Sequence, residues 1–286
     1  MTDLETCAAT AGAPDAVPIW HLAIAYDGTR YHGWQIQPEV PTVQGELQKR
    51  LRILFRDDAL QTAGTSRTDA GVHALDQHVS FVPGQACTPC LADIRHTLNR
   101  WLPPDIRVLS VDLRSPQFHA RHSAVAKAYT YAVHVGDLCS PFDVRCVWHC
   151  RYPLELDALR AAAARLAGTH DFAAFGANSG RDDEQTVKTL HRVEIVERPP
   201  YLYLVVVGDS FLYKMVRSLA GYLVGVAGRK PDWKPAELDA LLAGGPRPSE
   251  VATAPPQGLF LAKVFFQPDE WVGYAPVLPP HHAIFA

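Results

Sequence analysis

Between residues 18 and 114 the spacing of apolar residues switches repeatedly between two and about 3.6, and this succession limits the fold more than any other feature of the chain. Trp20, Leu22, Ile24 and Tyr26 alternate as in a half-buried strand, which the turn Asp27-Gly28 closes. After Pro41, Thr42 is placed to cap a helix whose apolar positions Val43, Leu47, Leu51, Leu54 and Phe55 share one face, with Lys49, Arg50, Arg52 and Arg56 largely outside it. A short strand near 59–63, a glycine-punctuated turn at 64–72 and an alternating strand through Leu75, Gln77, Val79 and Phe81 come next. Pro89 opens a second helix with the stripe Leu91, Ile94, Leu98 and Leu102, and a strand follows from Ile106. This is the order βαββαβ of a split, ferredoxin-like unit.

The second half spells a similar order. It has a strand at 126–135, a helix at 155–167 stopped by Gly168, strands at 190–197 and 201–208, a helix at 211–227 and a strand at 258–266. An added helix is expected from Pro235 to Gly244. The pattern predicts an α+β protein of two duplicated βαββαβ (ferredoxin/RRM-like) halves, with antiparallel or mixed sheets joined around a central cleft and helices on one face. The expected divisions are a disordered lead-in at 1–17, a first half at 18–124, a second at 125–270 and a tail at 271–286. A cleft between halves is a favoured place for a ligand.

With 286 residues, 48% of them hydrophobic, the chain has enough apolar material for a large core, which disfavours disordered and fibrous classes. No window reaches the ~18 uninterrupted apolar residues of a membrane span, and the N-terminus lacks a basic region followed by an apolar one, so a cytoplasmic location is expected. A net charge of −3 argues against indiscriminate coating of nucleic acid but leaves room for a basic groove. Six cysteines in a chain of this size read as reduced thiols.

Chemistry concentrates in the stretch AGTSRTDAGVHALDQHVSF, residues 63–81, which sets Arg67 and Asp69 two apart in a glycine-bounded loop. Burial drives a carboxyl toward its neutral form, whereas a nearby guanidinium keeps it ionised, as a nucleophile or base must be. The plainer reading is an aspartate capping its own turn. In FHARHSAVAKAYTY, residues 118–131, Tyr129 and Tyr131 alternate onto one face, and residues 95–127 hold six Lys or Arg against two acids. Basic residues interleaved with aromatics suit phosphate neutralisation and base stacking, although a solvated surface reads the same way. In LYKMVRSLAGYLVG, residues 212–225, Arg217 interrupts an apolar helix; it either snorkels or meets a carboxylate, with Asp69 the partner to test.

Together SRTDAGVHA, ARHSAVAKAYTY, LYKMVRSLAG and GLFLAKV resemble, in order and at similar intervals, the signatures of the tRNA pseudouridine(38-40) synthase A family, over about Ile19 to Phe266. The resemblance implies a homodimer that isomerises uridines in the tRNA anticodon arm with neither metal nor organic cofactor, and it implies the duplicated fold. By position, Asp69 matches the nucleophile, Arg67 the arginine that helps extrude the base and Tyr129 the stacking tyrosine. Arg217 resembles the basic partner of the carboxylate, and Phe118, His119, Ala120, Arg121 and His122 resemble an RNA-binding segment. The loop at Ser179–Asp183 falls where relatives touch tRNA, but here it is acidic. Ser66 departs from the usual glycine before Arg-Thr-Asp, and a positive φ there would make serine costly.

Three rivals differ in class. Cys87-Thr-Pro-Cys90 ahead of a helix has the spacing of a redox pair, in the wrong strand context. Cys146, His149 and Cys150 have locally plausible zinc spacing. An RNA chaperone without turnover would share the basic surface. His21, His32, His73, His78, His281 and His282 lack metal-ligand spacing and read as structural or exposed.

Overall fold

Strand β1, Ile19–Tyr26, sends Trp20, Leu22, Ile24 and Tyr26 into the main core. Its other face is buried too, because His21, Ala23 and Ala25 are at most 7% exposed. The half-buried strand expected from its alternation is therefore covered on both sides. In this computed structural model, residues 17–84, 90–177, 185–230 and 232–279 are described. Helix α1, Val43–Phe55, begins where the Thr42 hydroxyl accepts the Gly45 N–H, and it ends on Arg56 in the left-handed conformation. Val43, Leu47, Leu51 and Phe55 are buried along one face, while Leu54 is only partly so.

The strand expected at 59–63 shrinks to β2, Ala63–Gly64. Side chains take the place of a ladder just before it: Gln48 Oε1 accepts the Thr62 N–H, and Gln44 Nε2 donates to the Thr62 carbonyl. Strand β3, His73–Phe81, helix α2, Leu91–Trp101, and strand β4, Ile106–Arg114, complete the first half. Pro89, the expected start of α2, and Cys87 lie outside the described residues.

The second half opens with β5, Ala126–Val135, the short β6, Trp148–Cys150, helix α3, Leu156–Leu166, and β7, Gly168–Asp171. Gly168, at φ +114°, both stops α3 and starts β7. β8, Val187–Arg198, and β9, Tyr201–Gly208, form an antiparallel pair. The helix expected at 211–227 starts later. Lys214 adopts φ +58°, so α4 runs Met215–Tyr222 and then widens into a π-helical stretch, Leu223–Ala227. Helix α5, Pro235–Leu242, and strand β10, Leu259–Phe265, follow.

Among the described residues ten strands form one mixed sheet in the order β4-β1-β3-β10-β5-β9-β8-β7, with β2 on β3 and β6 on β5. The five α-helices of the described residues all contribute to one large apolar core, whereas the apolar clusters of the opposite sheet face draw only on strands and connecting segments. The seam between β3 and β10 is parallel and only two pairs long, Phe260 with His73 and Leu261 with Ala74. Leu261 also pairs with Tyr129 on β5, so Ala74, Leu261 and Tyr129 lie in one row across the sheet. At about 4.8 Å per strand, that row sets Tyr129 roughly 10 Å from the point where the 65–72 loop enters β3. No helix among the described residues is long and apolar enough to cross a membrane.

Candidate active site

The loop between β2 and β3 is fixed by partners on both sides. Thr65 donates its N–H to the His78 carbonyl at 2.9 Å and its hydroxyl to the Ala120 carbonyl at 2.8 Å. Ser66 is clamped by Gln77, a fully buried side chain whose Oε1 accepts the Ser66 N–H and whose Nε2 donates to the Ser66 carbonyl at 2.7 Å. Thr68 accepts the Trp34 N–H on its carbonyl, and its hydroxyl shares a 2.8 Å hydrogen bond with Tyr26. Gly33, at φ +90°, permits that approach, because a Cβ there would stand 2.6 Å from the Thr68 carbonyl oxygen. Thr65 and Thr68 are buried while Arg67 is exposed. No buried side-chain polar atom of the loop lacks a partner, as its burial requires.

Asp69 accepts a hydrogen bond on Oδ2 from Arg217 Nη1 at 2.6 Å. Their side chains are 16% and 12% exposed, enough for a reacting group to approach but not for free solvation. Arg217 Nε also donates to the Ala254 carbonyl, and the Ala254 N–H returns a bond to the Arg217 carbonyl. The 252–254 segment lies so close along α4 that a Cβ on Gly221 would stand 1.9 Å from the Ala252 carbonyl oxygen. Glycine therefore admits the segment that aims the arginine.

Tyr129 projects from β5 into the same region. Its hydroxyl meets Ser66 Oγ at 2.6 Å, and its ring meets Phe211 edge-on with centroids 5.0 Å apart. Burial pushes the phenol up to about 12, the Ser66 hydrogen bond opposes that rise, and the Asp69 carboxylate adds to it. Next along the face, Tyr131 donates to the Pro255 carbonyl at 2.7 Å; burial raises its phenol while Arg217 draws it down.

The segment Phe118–His122 closes one side of the loop through the Thr65 to Ala120 bond. Ala120 is fully buried and its N–H donates to Ser80 Oγ, so the exposed groups of the segment are Arg121 and His122. His119 is part-buried, and its Nδ1 accepts the N–H groups of Arg121 and His122. Phe118 sits edge-on to His21 at 4.9 Å and beneath the Arg114 guanidinium at 5.6 Å.

Beneath it runs a buried polar chain. Arg114 Nε donates to His21 Nδ1, so neutral His21 carries its proton on Nε2 and donates to His78 Nδ1 at 2.8 Å. His78 Nε2 then faces Asp76 Oδ1 at 3.1 Å, and Lys263 faces Asp76 Oδ2. Burial, then the charges of His78 and Arg114, lower His21 to about 3. Burial pushes Asp76 up, but His78, Lys263 and the Val264 N–H bring it down to about 2.

Among the described residues no group of three or more His, Cys, Asp or Glu is arranged to hold a metal ion. His149 of the proposed zinc triplet instead bonds the Gly136 carbonyl through Nε2 at 2.7 Å. Cys90 is exposed ahead of α2, and its suggested redox partner Cys87, the loop Ser179–Asp183, His281 and His282 lie outside the described residues. Ser66 is absent from the non-glycine residues of positive φ, so the strain expected there does not arise. Ser66 as partner of Tyr129, Gln77 and Phe211 are additions to the residues read from sequence. The run Asp76-Gln77-His78 inside an apolar strand is the one signal for Gln77, since a polar group in such a strand needs a partner, whereas no local pattern marks Ser66 or Phe211 as neighbours of Tyr129.

A guanidinium-paired carboxylate beside a buried tyrosine, at the seam of a mixed sheet, has the make-up of an enzyme's reaction site. The family model for tRNA pseudouridine synthase matches residues 162–267. The tRNA pseudouridine synthase A 1 of Protochlamydia amoebophila is 39% identical over 250 residues, covering 87% of this chain and 96% of the relative. The tRNA pseudouridine synthase A of Syntrophotalea carbinolica is 42% identical over 253 residues, covering 88% and 97%. That of Thermosipho africanus is 38% identical over 247 residues, covering 86% and 98%. The chain belongs to the tRNA pseudouridine synthase A family, whose members are isomerases that convert uridine to pseudouridine in tRNA.

Proposed function

We propose that this protein isomerises uridine at positions 38–40 of the tRNA anticodon stem-loop, with Asp69 as nucleophile and the target base flipped into the cleft. The observation that carries this reading is the 2.6 Å bond from Arg217 on α4 to Asp69, in the loop that Ser66 ties to Tyr129. The reaction breaks the N1–C1′ glycosidic bond and forms a C5–C1′ bond; C5 loses a proton, N1 gains one, and the carboxylate is regenerated. The carboxylate attacks either the ribose or the pyrimidine ring, and both routes keep the base from escaping while it rotates. Atoms and electrons balance without a redox partner or group donor, so no cofactor is called for.

Unstacking the target costs a few kcal/mol, which insertion of the exposed Arg67 and stacking on Tyr129 offset. Arg121 and His122 offer exposed groups to the RNA beside the loop. Two duplicated halves, 18–124 and 125–270, are supported by the strand orders β4-β1-β3-β2 and β10-β5-β9-β8, which share one arrangement once the short added strands β6 and β7 of the second half are set aside. A homodimer in the cytoplasm completes the reading.

The test is incubation with unmodified tRNA followed by chemical mapping of pseudouridine, for the wild type, Asp69→Asn and Asp69→Ala. Modification confined to the wild type and to 38–40 is expected. Equal modification by all three defeats the nucleophile assignment, and binding without modification by the wild type returns the chaperone.

A further inference from the structure

We infer that Ser66 is a positioning residue that holds the Tyr129 phenol away from the Asp69 carboxylate, leaving Asp69 Oδ1 unencumbered for the reaction. The inference rests on the proposed roles of Asp69 and Tyr129.

A buried phenol requires a hydrogen-bond partner, and a carboxylate is a stronger acceptor than a neutral hydroxyl. Tyr129 meets the loop at Ser66, three residues before Asp69, and its hydroxyl is bonded there to Ser66 Oγ at 2.6 Å, while Asp69 turns to Arg217. Ser66 is not free to yield. Its N–H and its carbonyl are both taken by Gln77, which is fully buried in β3. The serine hydroxyl is thereby presented at a fixed place across the seam, from the first-half loop to the second-half strand.

The consequence falls on Asp69. Among the described residues its side chain accepts one hydrogen bond, on Oδ2 from Arg217. A phenol donating to Oδ1 would stabilise the charged carboxylate and lower its nucleophilicity, and it would also rotate the aromatic ring meant for the base. Ser66 removes that competing bond, while Phe211 meets the ring edge-on at 5.0 Å.

Because the hydroxyl acts through Tyr129, the two residues must be coupled. Single-turnover pseudouridine formation on unmodified tRNA is measured for the wild type, Ser66→Ala, Tyr129→Phe and the double variant, followed down to about 10⁻⁴ of the wild-type rate. Ser66→Ala is expected to slow the wild type by about tenfold, the worth of one such hydrogen bond. In the Tyr129→Phe background, where no phenol remains to misdirect, the same change is expected to alter the rate by less than about twofold. A loss of equal size in both backgrounds makes Ser66 a merely structural residue and overturns the inference, as does no loss in either. If Tyr129→Phe falls below the measurable range, the kcat and KM of Ser66→Ala decide. A fall in kcat with KM held within about twofold supports the inference, and unchanged kcat overturns it. A wild type that leaves tRNA unmodified, or Asp69 variants as active as the wild type, overturns the proposed function instead.

Discussion

Replacing Arg217 by methionine removes one member of a pair whose side chains are only 12% and 16% exposed. At an effective dielectric of about 20, two charges ~4 Å apart attract by about 4 kcal/mol. Desolvation of both ions consumed part of that gain on folding, but the methionine variant does not recover it, because Asp69 remains in place without its counter-charge. Breaking such a pair from one side costs about 3–5 kcal/mol. The Ala254 carbonyl also loses the Arg217 Nε donor, which places the cost toward the upper end. We expect Arg217→Met to lower the unfolding free energy by about 4 kcal/mol in urea, followed by fluorescence of the protein's tryptophans. Adding Asp69→Asn removes the stranded charge, so the double variant is expected to be no less stable than Arg217→Met, with a coupling of about 2–4 kcal/mol in the cycle. Arg217→Lys falls between, because one ammonium cannot reproduce the guanidinium that serves Ala254 through Nε and Asp69 through Nη1. A cost below about 1 kcal/mol for Arg217→Met, or strict additivity with Asp69→Asn, refutes the assignment of this ion pair as a part-buried and mutually dependent unit.

Gly221→Ala places a methyl 1.9 Å from the Ala252 carbonyl oxygen, a backbone atom that yields only if the 252–254 segment moves. Alanine is favoured over glycine within a helix by about 1 kcal/mol, but overpacking costs up to about 3 kcal/mol, so a net loss of about 2 kcal/mol is expected together with slower turnover; a variant as stable as the wild type refutes the close approach. The buried His21 stays neutral in the folded chain down to about 3, whereas the unfolded chain protonates it below its ordinary 6.5, so the unfolded state binds the extra proton and stability falls with pH across that window. Between about pH 5.5 and 4 the wild type is expected to lose up to about 1.4 kcal/mol per pH unit more than His21→Gln in urea unfolding, and parallel slopes refute it.

How much of this is legible in the sequence depends on where each constraint is written. Strands β1, β5 and β9 are read with their observed limits because β-branched and aromatic runs declare themselves locally, and Thr42 marks the start of α1 by its own hydroxyl. The helix expected from 211 is local as well, but its start is set by a left-handed Lys214, which apolar spacing cannot reveal. Strands β6 and β7, of three and four residues, are too short to establish any period and exist because neighbouring strands supply the partners. Burial of both faces of β1 depends on His21 finding His78, 57 residues away, and two histidines in apolar strands do not name each other.

The candidate site divides along the same line. An arginine interrupting an apolar helix demands a partner, and a carboxylate in a glycine-bounded loop invites one, so the Arg217–Asp69 contact is arguable before any coordinates. Nothing about a serine beside an arginine announces a tyrosine 63 residues on. That contact exists because the row Ala74–Leu261–Tyr129 crosses the two-pair parallel seam and brings β5 up to the loop. With so short a backbone ladder between β3 and β10, side-chain bonds such as Arg217 to Asp69 and Ser66 to Tyr129 fix the loop against the second half. Substitutions at these four residues should therefore perturb chemistry and the seam together, whereas changes at the exposed positions Val187, His191 and Arg198 of β8, one strand further out than the β9 partner of β5, should leave both alone.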